Sequence, residues 1–167
     1  MIANKIGIIG CGWLGTHLAL HLKKNFNLLV TTTNEQKKTN LEQLGLETFV
    51  INFFDDKISD SSSLLHPSIL HDTDCIIITI PFSKRANINQ LKCRFQNLCN
   101  SIKGFQKQIF VMSSIGIYPD KDDAIITENS LEDKELNPNI LLVENLMQSY
   151  FPQVNILRLG GLMGGNR

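Results

Sequence analysis

The chain has 167 residues, of which 43% are hydrophobic and 19% charged, enough for one globular domain and too apolar for a disordered chain. Lys+Arg and Asp+Glu each number 16, so no field of one sign recruits nucleic acid or an anionic membrane. No apolar run reaches the roughly 18 residues of a membrane span, and the N-terminus opens on a strand pattern rather than a signal segment, so a cytoplasmic location is expected.

The first strand carries Ile6, Ile8 and Ile9, and a glycine turn leads into a helix over 13–25 with Leu14, Leu18 and Leu22 one turn apart. "LLVTT" (28–32) is the second strand. A polar helix over 34–45 follows, with Thr33 or Asn34 as N-cap and Gly45 as stop. "TFVINF" (48–53) is the third strand, followed by a loop with a short helix near 64–70. "DCIIITIP" (74–81) is apolar without alternation, the pattern of a central parallel strand covered on both faces.

A long helix over 85–103 shows Ile88, Leu91, Phe95, Leu98 and Ile102 at helical spacing. "QIFVMSS" (108–114) is the fifth strand. A charged loop ends at Asn137-Pro138, an N-cap with proline in the first helical position, and the helix runs to Tyr150. "VNILRL" (154–159) is the sixth strand. Strands alternating with helices require crossovers, which predicts an α/β Rossmann-type fold, a doubly wound parallel sheet ordered 3-2-1-4-5-6 with helices on both faces.

Glycines 10, 12 and 15 stand as G-x-G-x-x-G between a strand and a helix, the context that gives the motif meaning. Gly10 permits the tight turn, Gly12 close approach of a pyrophosphate, and Gly15 close packing of helix on sheet. The turn residues Cys11, Trp13 and Leu14 complete this cofactor-binding segment, whose helix N-terminus favours an anion. At the end of the second strand Thr32, Thr33 and Asn34 replace the acid that binds the ribose hydroxyls in NAD-specific sites. An acid would repel a 2′-phosphate, so its absence, with Lys37 and Lys38 nearby, leans toward NADP over NAD.

The stretches "FVMSSIGIYPD" (110–120) and "ILRLGGLMGG" (156–165) resemble the "SSxxVYG" and "iLRlxxvyGpG" segments of the extended short-chain dehydrogenase/reductases, the group of epimerases and dehydratases. With the glycine motif, the resemblance covers the whole chain and is greatest to an atypical branch of that group. It implies an NAD(P)-binding oxidoreductase or epimerase/dehydratase-like enzyme. It also implies that Ser114 is the catalytic serine and that Ser113 and Pro81 border the cofactor, with Asp55 near the adenine. The family's tyrosine–lysine pair falls on Leu136 and Ile140, neither of which can transfer a proton. Tyr118 is the remaining catalytic candidate, and packing is an equal reading of it.

Two rivals stand beside this reading: a non-catalytic NAD(P)-sensing protein, and the N-terminal domain of a β-hydroxyacid-dehydrogenase-type enzyme. The glycine-rich end suggests a chain that lacks a C-terminal substrate-binding region. The expected partner is a small molecule, with a homodimer as the assembly to test. His17 and His21 have chelating spacing but no third ligand nearby. Cys11, Cys75, Cys93 and Cys99 show no C-x-x-C spacing and read as reduced thiols, so no metal is expected.

Overall fold

The computed structural model describes residues 4–54, 68–120, 125–128 and 131–164. Six strands, β1 (Lys5–Ile9), β2 (Asn27–Thr32), β3 (Glu47–Val50), β4 (Cys75–Ile78), β5 (Gln108–Ser114) and β6 (Val154–Leu159), form one sheet. Its order is β3-β2-β1-β4-β5-β6, and every pairing is parallel. β1 lies between β2 and β4, so the strand order reverses there and a crevice opens at the carboxyl ends of the strands.

The period-2 geometry of a strand divides the core in two. Ile6, Ile8, Leu28 and Val30 face α1 (Trp13–Leu22) and α2 (Glu35–Gln43), where Ala19 and Leu41 pack. Ile9, Leu29, Ile76 and Ile78 face the opposite layer. That layer holds α3 (Ser68–His71), α4 (Ile88–Ser101) and α5 (Pro138–Tyr150). Of the predicted stripe, Leu91, Phe95, Leu98 and Ile102 are buried, whereas Ile88, in the first turn of α4, is 44% exposed.

Helix starts follow their caps. The Asn34 Oδ1 accepts from the Lys37 N–H, Asn87 caps α4, and Asn137 caps α5 ahead of Pro138. α4 therefore begins at Ile88, where the apolar stripe begins and later than the predicted start at residue 85. Gly45, at φ +76°, ends the α2 segment. β4 stops at Ile78, three residues before the apolar run ends. The Thr79 N–H still donates to Ile9 O at 2.8 Å, after which Ile80 and Pro81 leave the ladder. Of the expected helix near 64–70, only the part from Ser68 lies within the described residues. All four cysteines are free, and among the described residues no helix is long and apolar enough to cross a membrane.

Phe95 is wholly buried where α4 meets the sheet, in edge contact with Phe82 at 5.3 Å. Phe95→Ala should cost about 3–5 kcal/mol through lost burial and an unfilled cavity, read as a lower urea midpoint at unchanged m-value.

Candidate nucleotide-binding cleft

The turn after β1 is held from both sides by threonine hydroxyls. On the β2 side the Gly10 N–H donates to Thr31 Oγ1 at 3.0 Å, and the Cys11 N–H donates to Thr31 O at 2.7 Å. On the β4 side Thr79 Oγ1 donates to Gly10 O at 2.7 Å. The Gly10 N–H is thus satisfied from β2, and Gly10 O accepts both from Thr79, one residue past β4, and from the Gly12 N–H at 2.6 Å.

The three glycines serve different masters. Gly10 sits at φ +93°, and a Cβ there would come within 2.8 Å of Ile80 Cγ1. A Cβ on Gly15 would meet Thr79 Oγ1 at 2.6 Å and Gly10 O at 2.8 Å. The protein's own packing thus requires both. Gly12 has φ −73°, and a Cβ there would find only Gly10 O, at 3.8 Å. Nothing in the described chain fills the space over Gly12, which is also the N-cap of α1 and carries no side-chain cap.

That space belongs to a cleft of ≈ 560 Å³ at the switch point. Gly12, Trp13 and Leu14 form one wall, Thr79, Ile80, Pro81 and Phe82 the next. Met112, Ser113 and Ser114 close the end of β5, and Leu159 to Leu162 the end of β6. Trp13 is steadied by His17, whose ring lies 4.6 Å from the indole and whose Nδ1 is 2.8 Å from Trp13 O. Among the described residues no group of three His, Cys, Asp or Glu side chains is placed to hold a metal ion.

The sequence-derived site residues divide accordingly. Gly12, Trp13, Leu14, Pro81, Ser113 and Ser114 meet in the cleft. Gly10 and Gly15 support it from behind. Cys11 is buried beneath the turn, and burial pushes its thiol up to about 11, so it stands as an uncharged packing group. Thr32 is buried and its carbonyl accepts from the Ile51 N–H, whereas Thr33 and Asn34 are exposed. Asn34 lines a second hollow of ≈ 320 Å³ with Thr16, Gln36, Lys37 and Asn40. Lys38 lies 3.9 Å from Glu35, so Lys37 is the better placed of the two lysines. Asp55 lies outside the described residues.

Tyr118 is tied to a network that sequence reading missed. Glu144 on α5 is 2% exposed, accepts from Ser113 Oγ at 2.5 Å and pairs with Arg158 of β6 at 2.7 Å. Arg158 Nη1 donates to the Tyr118 hydroxyl at 2.8 Å. The hydrogen bonds it donates to Glu144 hold the Arg158 guanidinium above its ordinary range. Arg158 thus anchors the Tyr118 loop, and among described residues the phenol is not part of the cleft lining. Thr79 was also missed; a lone hydroxyl within "IIITIP" was the available signal.

No family model matches the chain. It is 26% identical to Protein YeeZ of Escherichia coli K12 over 173 aligned positions, 98% of this chain and 61% of YeeZ, so it spans about three-fifths of that relative. Among solved structures it is similar to a protein of Methylobacillus flagellatus assigned as an NAD-dependent epimerase/dehydratase, with TM-score 0.70 and 20% identity, covering 96% of this chain and 55% of that one. It is also similar to Gre2 of Candida albicans in complex with NADPH, with TM-score 0.64 and 14% identity over 92% of this chain and 56% of Gre2. These likenesses establish the doubly wound fold.

The unequal demands on the glycines can be tested by thermal melting. Gly15→Ala forces a Cβ against fixed backbone and should destabilise by about 1–3 kcal/mol. Gly12→Ala meets nothing closer than 3.8 Å and should melt within a degree or two of wild type. Equal losses would contradict the packing described.

Proposed function

We propose that the chain is the NAD(P)-binding part of an oxidoreductase or epimerase/dehydratase-like enzyme of the atypical extended short-chain group, with NADP preferred. The observation that carries this is the unfilled space over Gly12, at an uncapped helix N-terminus with no acidic residue in its first turn. Packing explains the other two glycines; a pyrophosphate explains this one. The assignment of the Methylobacillus protein and the NADPH bound by Gre2 support the same reading.

In this arrangement the residues at 12–14 hold the pyrophosphate, and Pro81, Ser113 and Ser114 flank the nicotinamide end. Thr33, Asn34 and Lys37 receive the 2′-phosphate at the exit of β2. When bound, the dinucleotide supplies two-electron hydride chemistry. Ser114 orients a carbonyl oxygen, and Trp13, Phe82 and Met112 keep that part of the cleft apolar. Leu136 is half-buried and Ile140 is 1% exposed, so neither position supplies a proton. That observation favours a second reading, a protein that binds the dinucleotide and senses it without turnover. The four free thiols support a cytoplasmic location, and a small-molecule substrate is the partner expected of the first reading.

The chain's single tryptophan is Trp13, in the cleft wall, so its fluorescence reports binding directly. NADPH should quench it saturably and bind several-fold more tightly than NADH, since a 2′-phosphate adds charge-assisted hydrogen bonds worth roughly 1.5–3 kcal/mol each. Gly12→Val, which fills the space, should weaken both nucleotides tenfold or more. Equal affinities would remove the NADP preference, and no saturable change with either nucleotide would remove the reading itself.

A further inference from the structure

The two histidines of α1 play no part in the dinucleotide reading, and what they can hold does not depend on it. His17 and His21 stand one helical turn apart on α1, and both are exposed. Side chains four apart on a helix have Cβ atoms about 5–6 Å from each other. Helical side chains also lean toward the N-terminus of their helix. That lean sets the His17 ring 4.6 Å from the Trp13 indole, and the same lean directs His21 toward His17.

A hydrogen bond decides which nitrogen of His17 is free. Its Nδ1 lies 2.8 Å from Trp13 O, and a carbonyl oxygen only accepts, so Nδ1 carries the proton. Nε2 is left with its lone pair, on a ring whose orientation the carbonyl fixes. A neutral imidazole that donates one N–H to a backbone carbonyl and offers its other nitrogen is the form in which histidine binds a metal ion. Among the described residues no carboxylate pairs with either ring, and His21 has no hydrogen-bond partner. The cations that follow in sequence are turned elsewhere. Lys23 and Lys24 line a hollow with Lys5 and Glu47, and the Lys23 ammonium donates to Leu44 O at 2.8 Å.

We infer that His17 and His21 chelate a divalent transition cation, Ni²⁺, Cu²⁺ or Zn²⁺, through one imidazole nitrogen each, with water in the remaining positions. Imidazole suits these ions, whereas Mg²⁺ and Mn²⁺ favour oxygen ligands. A closed structural zinc centre takes four protein ligands. No group of three His, Cys, Asp or Glu side chains stands together among the described residues, so this site is an open one that needs only its two histidines. It lies on the exposed side of the helix whose first residues wall the cleft, and Trp13 is the neighbour that reports its occupation.

The probe is NiCl₂, titrated into the 167-residue chain without nucleotide while Trp13 fluorescence is followed, since an open-shell ion one helical turn away quenches the indole. Cys93 is the exposed thiol, so the series is run with Cys93→Ser in place. Quenching should saturate, CuCl₂ should bind more tightly than NiCl₂, and MgCl₂ should leave the signal unmoved. His21→Ala should weaken Ni²⁺ roughly tenfold or more, because the second imidazole of a chelate binds at high effective concentration. His17→Ala should do the same, and the double variant should lose little beyond either single one. His71→Ala, on α3, should leave the affinity as it was. Alanine favours the helix at both positions, and far-UV circular dichroism shows whether each variant is folded. Quenching that does not saturate, Ni²⁺ affinity indifferent to His21→Ala, or losses that simply add in the double variant would each overturn the inference.

Discussion

The close approach of the β1–α1 turn to β4 is the constraint on which the rest of the site depends. Gly15 brings the first turn of α1 to within contact of Thr79, and Thr79 in turn bonds Gly10. With Thr31 bonding the same glycine from β2, the turn is fixed relative to the two strands that flank the switch point. Leaving the Gly10 N–H unpaired would cost about 1–3 kcal/mol, which Thr31 prevents, and Thr79 adds a second bond to a carbonyl that the Gly12 N–H also reaches. Of the three glycines of the turn, Gly12 alone is left facing open space. An uncapped helix N-terminus at the cleft is thus a consequence of packing alone.

The opposite wall depends on a second constraint, the ion pair between Glu144 and Arg158. Glu144 joins β5 through Ser113, α5 through its own backbone, and β6 through Arg158, which also holds Tyr118. Removing one partner of such a pair leaves a buried charge and typically costs about 3–5 kcal/mol. The network therefore holds the end of β5 and the 115–118 turn as one unit. It also ties Ser113 to α5, while the neighbouring Ser114 accepts from the Gly116 N–H.

The fold was legible because apolar periodicity and caps are local signals. Continuous apolar strands announced a parallel sheet, and Asn34 and Asn137 marked helix starts that the structure places within a residue. The end of β4 was not legible, because Ile80 and Pro81 are as apolar as the strand before them and leave it only through the geometry around Thr79. In the site, the glycine turn could be read since its logic lies within six residues. Thr31 could not be separated from Thr32 and Thr33, because a threonine in a strand looks like a strand former whatever its hydroxyl bonds. Glu144 was hidden for a related reason: on a helix of mixed polarity, a lone glutamate reads as solvated until the strand bearing Arg158 is placed beside it. The cleft wall formed by residues 159–162 comes from the far end of the sequence, and its glycine-rich segment is brought opposite Gly12 only by the sheet order.

Ile140 is a buried residue of α5 that lies outside the described cleft lining. Its side chain is 1% exposed and its Cδ1 lies 3.8 Å from where a Cβ of Gly116 would stand, so it packs beneath the turn that follows Ser114. A lysine there would be stripped of water, and desolvation would drive it toward the neutral form. Glu144 lies one helical turn further on, already paired with Arg158, and so could not balance a new cation without releasing the old one. The apolar residue and the ion pair therefore go together: Glu144 is committed to Arg158 and holds α5 to β6, and the position one turn before it stays uncharged.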